Sequence, residues 1–341
     1  MNPPLDQTTG KLAAMAHEDQ LNAIALLNKS SGDPLRLEIL RALSTESFGV
    51  LELCDIFDAK QSGMSHHLKV LAKANAVTTR REGNSIFYRR ALPHDSEPAG
   101  QLLAALFNTI DQISLNPITQ QRIAQVKQQR AEAARAFFNK HADQFREQQE
   151  LIATFCQYAE HARDLLLKTN PGQQSTLLEI GSGSGEFLAL VHNDFGNIIA
   201  LDISEEMLEQ AQQLVTQQQL KNIRFLLGDT QTALRELPQV DHIVCNMVLH
   251  HVPSPADIFI DSGKLLQVGG SMVVTDLCRH DQGWAKENCG DLWLGFEPDD
   301  LTRWANAAGL EDSESLYLGL RNGFQIQIRR FEKSSAKNTF N

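Results

Sequence analysis

The chain is 341 residues long, 42 % apolar and 21 % charged, with a formal net charge of −11 at pH 7. That length accommodates two domains and a connecting piece, and no apolar run in it approaches the roughly 20 residues of a membrane-spanning helix. Its five cysteines (Cys54, Cys156, Cys245, Cys278, Cys289) are scattered, odd in number and without CxxC spacing, which argues against a disulfide framework and for reduced thiols in a cytoplasmic protein.

The opening MNPPLDQTTG has no basic segment followed by an apolar core, so it does not read as an export signal. Residues 1–19 are taken as an N-terminal extension. The charge is unevenly spread: residues 60–90 hold seven bases (Lys60, Lys69, Lys73, Arg80, Arg81, Arg89, Arg90) against Glu82, whereas residues 151–341 carry 14 bases and 25 acids. A basic island in an acidic chain is a candidate nucleic-acid surface; the alternative is a solvated charge run.

Residues 20–92 read as short helices followed by a hairpin. Asp33-Pro34 is an N-cap with proline at the first helical position, and Leu35, Ile39, Leu40 and Leu43 give that helix its apolar face. Val50, Leu51, Leu53, Ile56 and Phe57 make a second short helix. A third starts near Gln61-Ser62, with Met64, Leu68, Leu71 and Ala72 inward and Ser62, Ser65, His66 and Lys69 outward. VTTRRE and SIFYRRA, joined by Gly83-Asn84, form a basic β-hairpin. This order is that of a winged helix-turn-helix. Its third helix would present Ser62, Ser65, His66 and Lys69 to the major groove, and the wing would bring Arg80, Arg81 and Asn84 to the backbone or minor groove.

DPLRLEILRAL, LELCDIF and QSGMSHHLKVLAKANAVTTRREGNSIFYR together resemble the ArsR/SmtB family of bacterial repressors. The resemblance implies a homodimer that binds palindromic double-stranded operator DNA and leaves it when an inducer binds. Many metal sensors of that family carry a Cys-x-Cys-type pair where this chain has Leu53-Cys54-Asp55, and one cysteine cannot make a thiolate site. No metal site is expected. His66 and His67, adjacent on a helix, point in different directions and read as a DNA-facing residue and a structural one.

Residues 93–150 read as a helical connector. PHDSEPAG is a break, Leu102, Leu103, Leu106, Phe107, Ile110 and Ile113 form one apolar stripe, and Asn116-Pro117 ends it. The stripe suits packing on neighbouring elements or pairing with its copy in a dimer. A second helix carries Phe137, Phe138, His141 and Phe145, which could cover the mouth of the next domain.

Residues 151–333 alternate strands and helices, implying a parallel sheet with crossovers, and 334–341 are a tail. TLLEIGSGSGEF is a buried strand, a glycine turn and a helix start. Position 186 is Glu, so the run lacks the third glycine of a dinucleotide fingerprint and reads E-x-G-x-G-x-G. NIIALDIS ends in Asp202, placed to hydrogen-bond ribose hydroxyls. NIRFLLGD ends in Gly228-Asp229, DHIVCNMVLHHV is read as one strand, and Leu265–Val268, Gly269-Gly270 and SMVVTDL are read as helix, turn and strand. SLYLGL-RNG-FQIQIRRF is a hairpin about Asn322-Gly323, so the last strand runs antiparallel.

These ordered features resemble the class I S-adenosylmethionine (SAM) methyltransferases, an α/β Rossmann-like fold closed by an antiparallel strand. The resemblance implies a SAM or S-adenosylhomocysteine (SAH) pocket lined by Glu179, Gly181, Ser182, Gly183, Gly185, Asp202, Ile203, Met207, Gly228, Asp229, Thr230 and Asn246. Asp229 would face the adenine amino group and Asn246 the methionine portion. His250, His251 and His280 with Asp276 could form a proton-transfer or metal cluster, although the polar rim of a nucleotide pocket is the plainer reading. HDQGWAKENCGDLWLGFEP, with Trp284, Trp293 and Phe296, could form a substrate lid. No catalytic residue is assigned.

The combined fold expectation is a mixed chain: an α+β winged helix, a helical linker and an α/β methyltransferase domain. Fusions of this form resemble SAH-responsive regulators of the methionine/SAM cycle, so the expected function is a DNA-binding repressor with SAM or SAH as effector. The alternative is an active methyltransferase whose DNA-binding domain controls its own expression.

Overall fold

The computed structural model describes residues 7–334 apart from 45, 83–84, 94–96, 170 and 173, and omits the side chains of 7–17, 81–82, 134–135, 137–148 and 286–287. The chain divides into two compact units, Met1–Gln128 and Gln129–Asn341.

The first unit begins with α1 (Gln7–Ser31), which runs through residue 20, where the domain was expected to start. Asp33 Oδ1 accepts the Arg36 N–H at 3.0 Å and Pro34 opens α2 (Pro34–Ala42), so the cap read from the sequence is formed. After β1 (Phe48–Gly49), the Gly49 N–H donates to Glu52 Oε2 at 2.7 Å and starts α3 (Val50–Phe57). Asp58 (φ 51°) and Asn75 (φ 52°) take the left-handed conformation just beyond α3 and α4 (Gln61–Lys73). Short polar side chains tolerate that region best among L-residues. β2 (Val77–Glu82) and β3 (Ser85–Arg90) then pair antiparallel, and β1 adds to β3, giving the order β1-β3-β2.

Leu103, Phe107 and Ile110 of α5 (Pro98–Asp111) pack into one apolar cluster with Ile39, Leu40, Leu53, Met64 and Leu68. Val126 of α6 (Pro117–Glu150) joins the same cluster. The compact unit therefore extends past 92, and its limit falls inside α6 rather than at either end of residues 93–150. Ile113 departs from the expected stripe: α5 ends at Asp111 and Ile113 is 62 % exposed. The Phe137, Phe138, His141 and Phe145 side chains lie outside those described.

The second unit has α7 (Phe155–Leu167) and a seven-stranded sheet ordered β6-β5-β4-β7-β8-β10-β9. Its members are β4 (Thr176–Ile180), β5 (Asn197–Asp202), β6 (Ile223–Leu227), β7 (Val240–Asn246), β8 (Leu266–Leu277), β9 (Glu311–Gly319) and β10 (Gln325–Glu332). The first five are parallel, and β10 lies antiparallel between β8 and β9. Helices α8 (Glu186–Val191), α9 (Glu205–Gln217), α10 (Thr230–Glu236) and α11 (Pro255–Leu265) supply the crossovers; α12 (Trp284–Asn288) and α13 (Pro298–Ala307) precede the hairpin.

Two segments differ from the sequence reading. DHIVCNMVLHHV is not one strand: β7 stops at Asn246, Met247 has φ 55°, and Leu249–His251 is a 3-10 turn. Leu265–Val268 is not a helix; α11 ends at Leu265 and β8 runs straight on through Gly269-Gly270. A Cβ on Gly270 would lie 2.6 Å from the Asp241 carbonyl, so close strand approach accounts for that glycine. Among the described residues, no helix is long and apolar enough to cross a membrane.

Candidate functional site

On the first unit, α4 places Ser62, His66 and Lys69 on its exposed face, with Ser65 half-buried, while Met64, Leu68 and Leu71 anchor the helix in the core. His67 turns the other way, its Nδ1 3.9 Å from Asp33 Oδ1. Arg80 is half-buried on β2; the Arg81 side chain and Asn84 lie outside the described residues. Behind the wing, buried Arg90 donates through Nε to the Leu40 carbonyl (2.6 Å) and through both terminal nitrogens to Asp111 (2.8 Å each). Its guanidinium also stacks 4.4 Å above the Phe107 ring. Strand β3 is thereby tied to α2 and α5.

On the second unit, β4 and β7 are neighbours while the chain between them builds β5 and β6 on the other side of β4. Strand order reverses there, and in open α/β sheets ligands bind at such a point, beyond the carboxyl ends of the strands. The expected residues gather at those ends. Gly181 (φ 71°), Gly183 (φ 51°) and Gly185 (φ 86°) all take the left-handed region. A Cβ on Gly181 would meet Val248 Cγ2 at 2.4 Å, and one on Gly185 would meet Ala211 Cβ at 3.0 Å, but one on Gly183 meets nothing within 4 Å. Packing thus excludes a side chain at Gly181 and crowds one at Gly185, whereas Gly183 keeps an open face.

Asp202 accepts the Gly183 N–H (Oδ2, 2.9 Å) and the Ser204 N–H (Oδ1, 2.9 Å), fixing the turn to the end of β5. Burial raises its carboxyl above the ordinary range, and the backbone N–H groups of Ser204, Gly183 and Ile203 pull it back. Glu179 is 2 % exposed, and burial, reinforced by the Asp202 charge, lifts its carboxyl well above 4.5. Buried Glu179 Oε2, Ser182 Oγ and both amide atoms of Asn246 have no hydrogen-bond partner. Unsatisfied polar groups at this density are uncommon in a folded interior.

Three other expected residues are engaged by the fold itself. The Thr230 hydroxyl, expected at the pocket, donates to Asp261 Oδ2 (2.7 Å). Asp229 caps α10, accepting from the Thr232 N–H (2.9 Å) and hydroxyl (3.1 Å) through Oδ1. Met207 is buried in α9, and its N–H donates to the Ser204 hydroxyl (3.3 Å).

Beyond β7, the 3-10 turn brings His250 and His251 together, ring centroids 4.0 Å apart. His250 Nδ1 stands 2.8 Å from Asp276 Oδ1, near the end of β8. Burial opposes charge on His250, but Asp276 and Asp291 outweigh it and raise the imidazole to about 9. Burial and then the His250 charge hold His251 well below 6.5. Asp291, unforeseen in the sequence, comes from a loop whose Leu292 and Trp293 N–H groups both donate to the His250 carbonyl (2.8 and 3.1 Å). His280 stands apart, packed on Phe324 with centroids 4.7 Å apart. The stretch expected as a lid is walled in at Trp293 and Phe296, 5 % and 2 % exposed.

The winged fold and the seven-stranded sheet with its glycine turn define a helix-turn-helix DNA-binding unit and a class I methyltransferase domain on one chain. Family models agree: a helix-turn-helix domain matches residues 32–80 and a methyltransferase domain matches residues 172–309. A biofilm growth-associated repressor from Agrobacterium fabrum is 36 % identical over 107 residues, covering 31 % of this chain and 86 % of the repressor. A ubiquinone biosynthesis O-methyltransferase from Coxiella burnetii is 26 % identical over 175 residues, covering 45 % of this chain and 74 % of the enzyme. Among solved structures, the N-methyltransferase NodS from Bradyrhizobium japonicum, in complex with SAH, aligns with TM-score 0.42 and 20 % identity over 51 % of this chain and 84 % of that one. The chain belongs to the ArsR-type helix-turn-helix regulators and carries a methyltransferase domain on the same polypeptide.

Proposed function

We propose that this protein is a ligand-responsive transcriptional repressor that binds operator DNA as a homodimer and takes SAM or SAH as its effector. The observation that carries the effector reading is the set of unpaired buried polar atoms on Glu179, Ser182 and Asn246 around the open face of Gly183. A nucleoside joined to an amino acid fits that set. Asn246 and Glu179 would take the amino-acid end. Asp202, whose carboxylate keeps accepting capacity after its two backbone bonds, would hold the ribose, and Asp229 the adenine. SAM brings an electrophilic methyl group on a sulfonium; SAH lacks it.

A ligand releases a repressor from DNA only by binding the DNA-free state more tightly. The likeness to a repressor over 107 residues supports the DNA-binding role, and the resemblance to SAH-responsive regulators points to methionine/SAM-cycle genes. The test is fluorescence anisotropy of the intact protein on DNA from upstream of its own coding region and of such genes. The reading expects at least a tenfold loss of affinity with SAH or SAM and is abandoned if neither changes binding.

The second reading, an active methyltransferase, draws on the enzymes related to the second unit. Methyl transfer from a sulfonium is a displacement for which proximity and orientation suffice, so it needs no dedicated base. Transfer of labelled methyl from SAM to a component of cell extract would favour it.

A further inference from the structure

We propose that His250, His251 and Asp291 form a site for one divalent cation of the zinc class, with Asp276 orienting the His250 ring from behind. One ligand atom from each of the three lies within 4.8 Å of the others, and all three residues are buried. This inference does not depend on which effector the glycine turn binds.

The arrangement has the parts of a metal centre. The 2.8 Å contact between His250 Nδ1 and Asp276 Oδ1 places a proton on Nδ1 and leaves the Nε2 lone pair directed away from it. Metal-bound histidines are oriented in the same way, their other ring nitrogen donating to a carboxylate. His250 is 0 % exposed, and its Nε2 has no hydrogen-bond partner. That nitrogen stands 3.9 Å from Asp291 Oδ1, and His251 Nδ1, which also meets the Gly290 carbonyl, stands 3.6 Å from the same oxygen. These separations are too long for hydrogen bonds. They lie near the spacing of about 3.4 Å between two ligands that share a tetrahedral zinc at about 2.1 Å.

Donor type points the same way. Two imidazole nitrogens and a carboxylate oxygen suit a borderline cation better than a soft or a hard one. Three protein ligands leave a fourth position for water or for an oxygen or sulfur atom of a small molecule, as in zinc sites that do chemistry. The frame is held from several sides: the 3-10 turn follows β7, Asp276 sits on β8, and the Asp291 loop bonds the His250 carbonyl. Val248, two residues before His250, covers Gly181, so the ion would lie on the side of the glycine turn toward β7.

The test uses the intact chain, stripped with chelator and titrated with Co²⁺ and then Zn²⁺. One equivalent of Co²⁺ should develop the visible absorption of a low-coordinate site, and Zn²⁺ should displace it. Asp291→Asn and His251→Asn should each weaken binding at least 100-fold, Asp276→Asn by about 10–100-fold, and His280→Asn should leave it unchanged. The proposal is overturned if the wild-type chain takes up neither ion at tenfold molar excess, which would leave His250 an imidazolium balanced by its carboxylates. Uptake undiminished in both Asp291→Asn and His251→Asn would overturn it as well, and the wild-type titration decides even if a variant fails to fold.

Discussion

Gly181 and Gly183 lie two residues apart and both take positive φ, yet a side chain would meet Val248 at the first and open space at the second. Gly183→Ala places a methyl group where nothing lies within 4 Å, so folding should lose only the left-handed penalty of about 1 kcal/mol. The same methyl fills the proposed ligand face, and isothermal titration should show at least a tenfold loss of SAH affinity. Gly181→Ala drives a Cβ to 2.4 Å from Val248 and should cost roughly 2–4 kcal/mol of stability, read as a fall in Tm. A Gly183→Ala protein that binds SAH normally would remove the pocket from this turn. Glu179 makes a prediction of a different kind. Its carboxyl titrates well above 4.5 in the folded chain, so the fold keeps a proton that the unfolded chain releases. Stability from this group is fully present below pH 4.5 and declines as pH rises toward the folded value. Glu179→Gln removes that decline, so its Tm should fall less than wild type between pH 5 and 8. Equal slopes would show that Glu179 is not the neutral buried acid described. Asp202→Ala should weaken SAH by roughly 1.5–3 kcal/mol for each ribose bond lost, with calorimetry as the check.

At the scale of elements, local chemistry was legible wherever one segment carried the whole signal. Asp33-Pro34 announced the start of α2, the outward polar set of α4 followed from its inward Met64, Leu68 and Leu71, and RNG announced the turn between β9 and β10. Asp33→Ala removes the cap that holds the Arg36 N–H and should cost about 1 kcal/mol of stability in denaturant unfolding. The misreadings arose where tertiary context overrode period. The run after Asn246 is apolar enough for a strand, but Met247 turns left-handed, its N–H donates to the Thr275 carbonyl, and the two histidines are carried onto a turn. Gly269-Gly270 looked like a break because glycines punctuate loops, whereas here the nearby Asp241 carbonyl requires one of them inside β8. Ile113 continued the period of α5 without being covered by anything. Asp229 and Thr230 follow the end of β6 as the sequence order implies, but the Thr230 bond to Asp261, 31 residues on, forms only once the fold brings α11 beside α10. Asp291 carried no local mark, since its meaning depends on two histidines forty residues earlier in the chain.

For the whole molecule, the question is whether an event in the second unit changes the affinity of the first for DNA. The two units are separate compact bodies, and α6, which contains their division, is one uninterrupted helix. Within the first unit α6 reaches the core through Val126 and the surface through an ion pair of Arg122 with Asp58. From the core, Arg90 links β3 to α2 and α5, so displacement of α5 would be felt at the wing. If the proposed function holds, linkage imposes a strict condition. The factor by which SAH lowers affinity for operator DNA must equal the factor by which operator DNA lowers affinity for SAH. A typical coupling of about 1–3 kcal/mol corresponds to roughly 5–150-fold, wide enough to measure in both directions. Anisotropy with and without saturating SAH gives the first factor; calorimetry with and without saturating operator duplex gives the second. Equal factors well above one establish that the two units are coupled. A large first factor with no second would mean that SAH acts on DNA binding by some route other than the methyltransferase domain. Arg90→Lys sharpens the test. It keeps the charge but loses the paired contact with Asp111, so it should reduce both factors together while leaving SAH affinity in the absence of DNA unchanged.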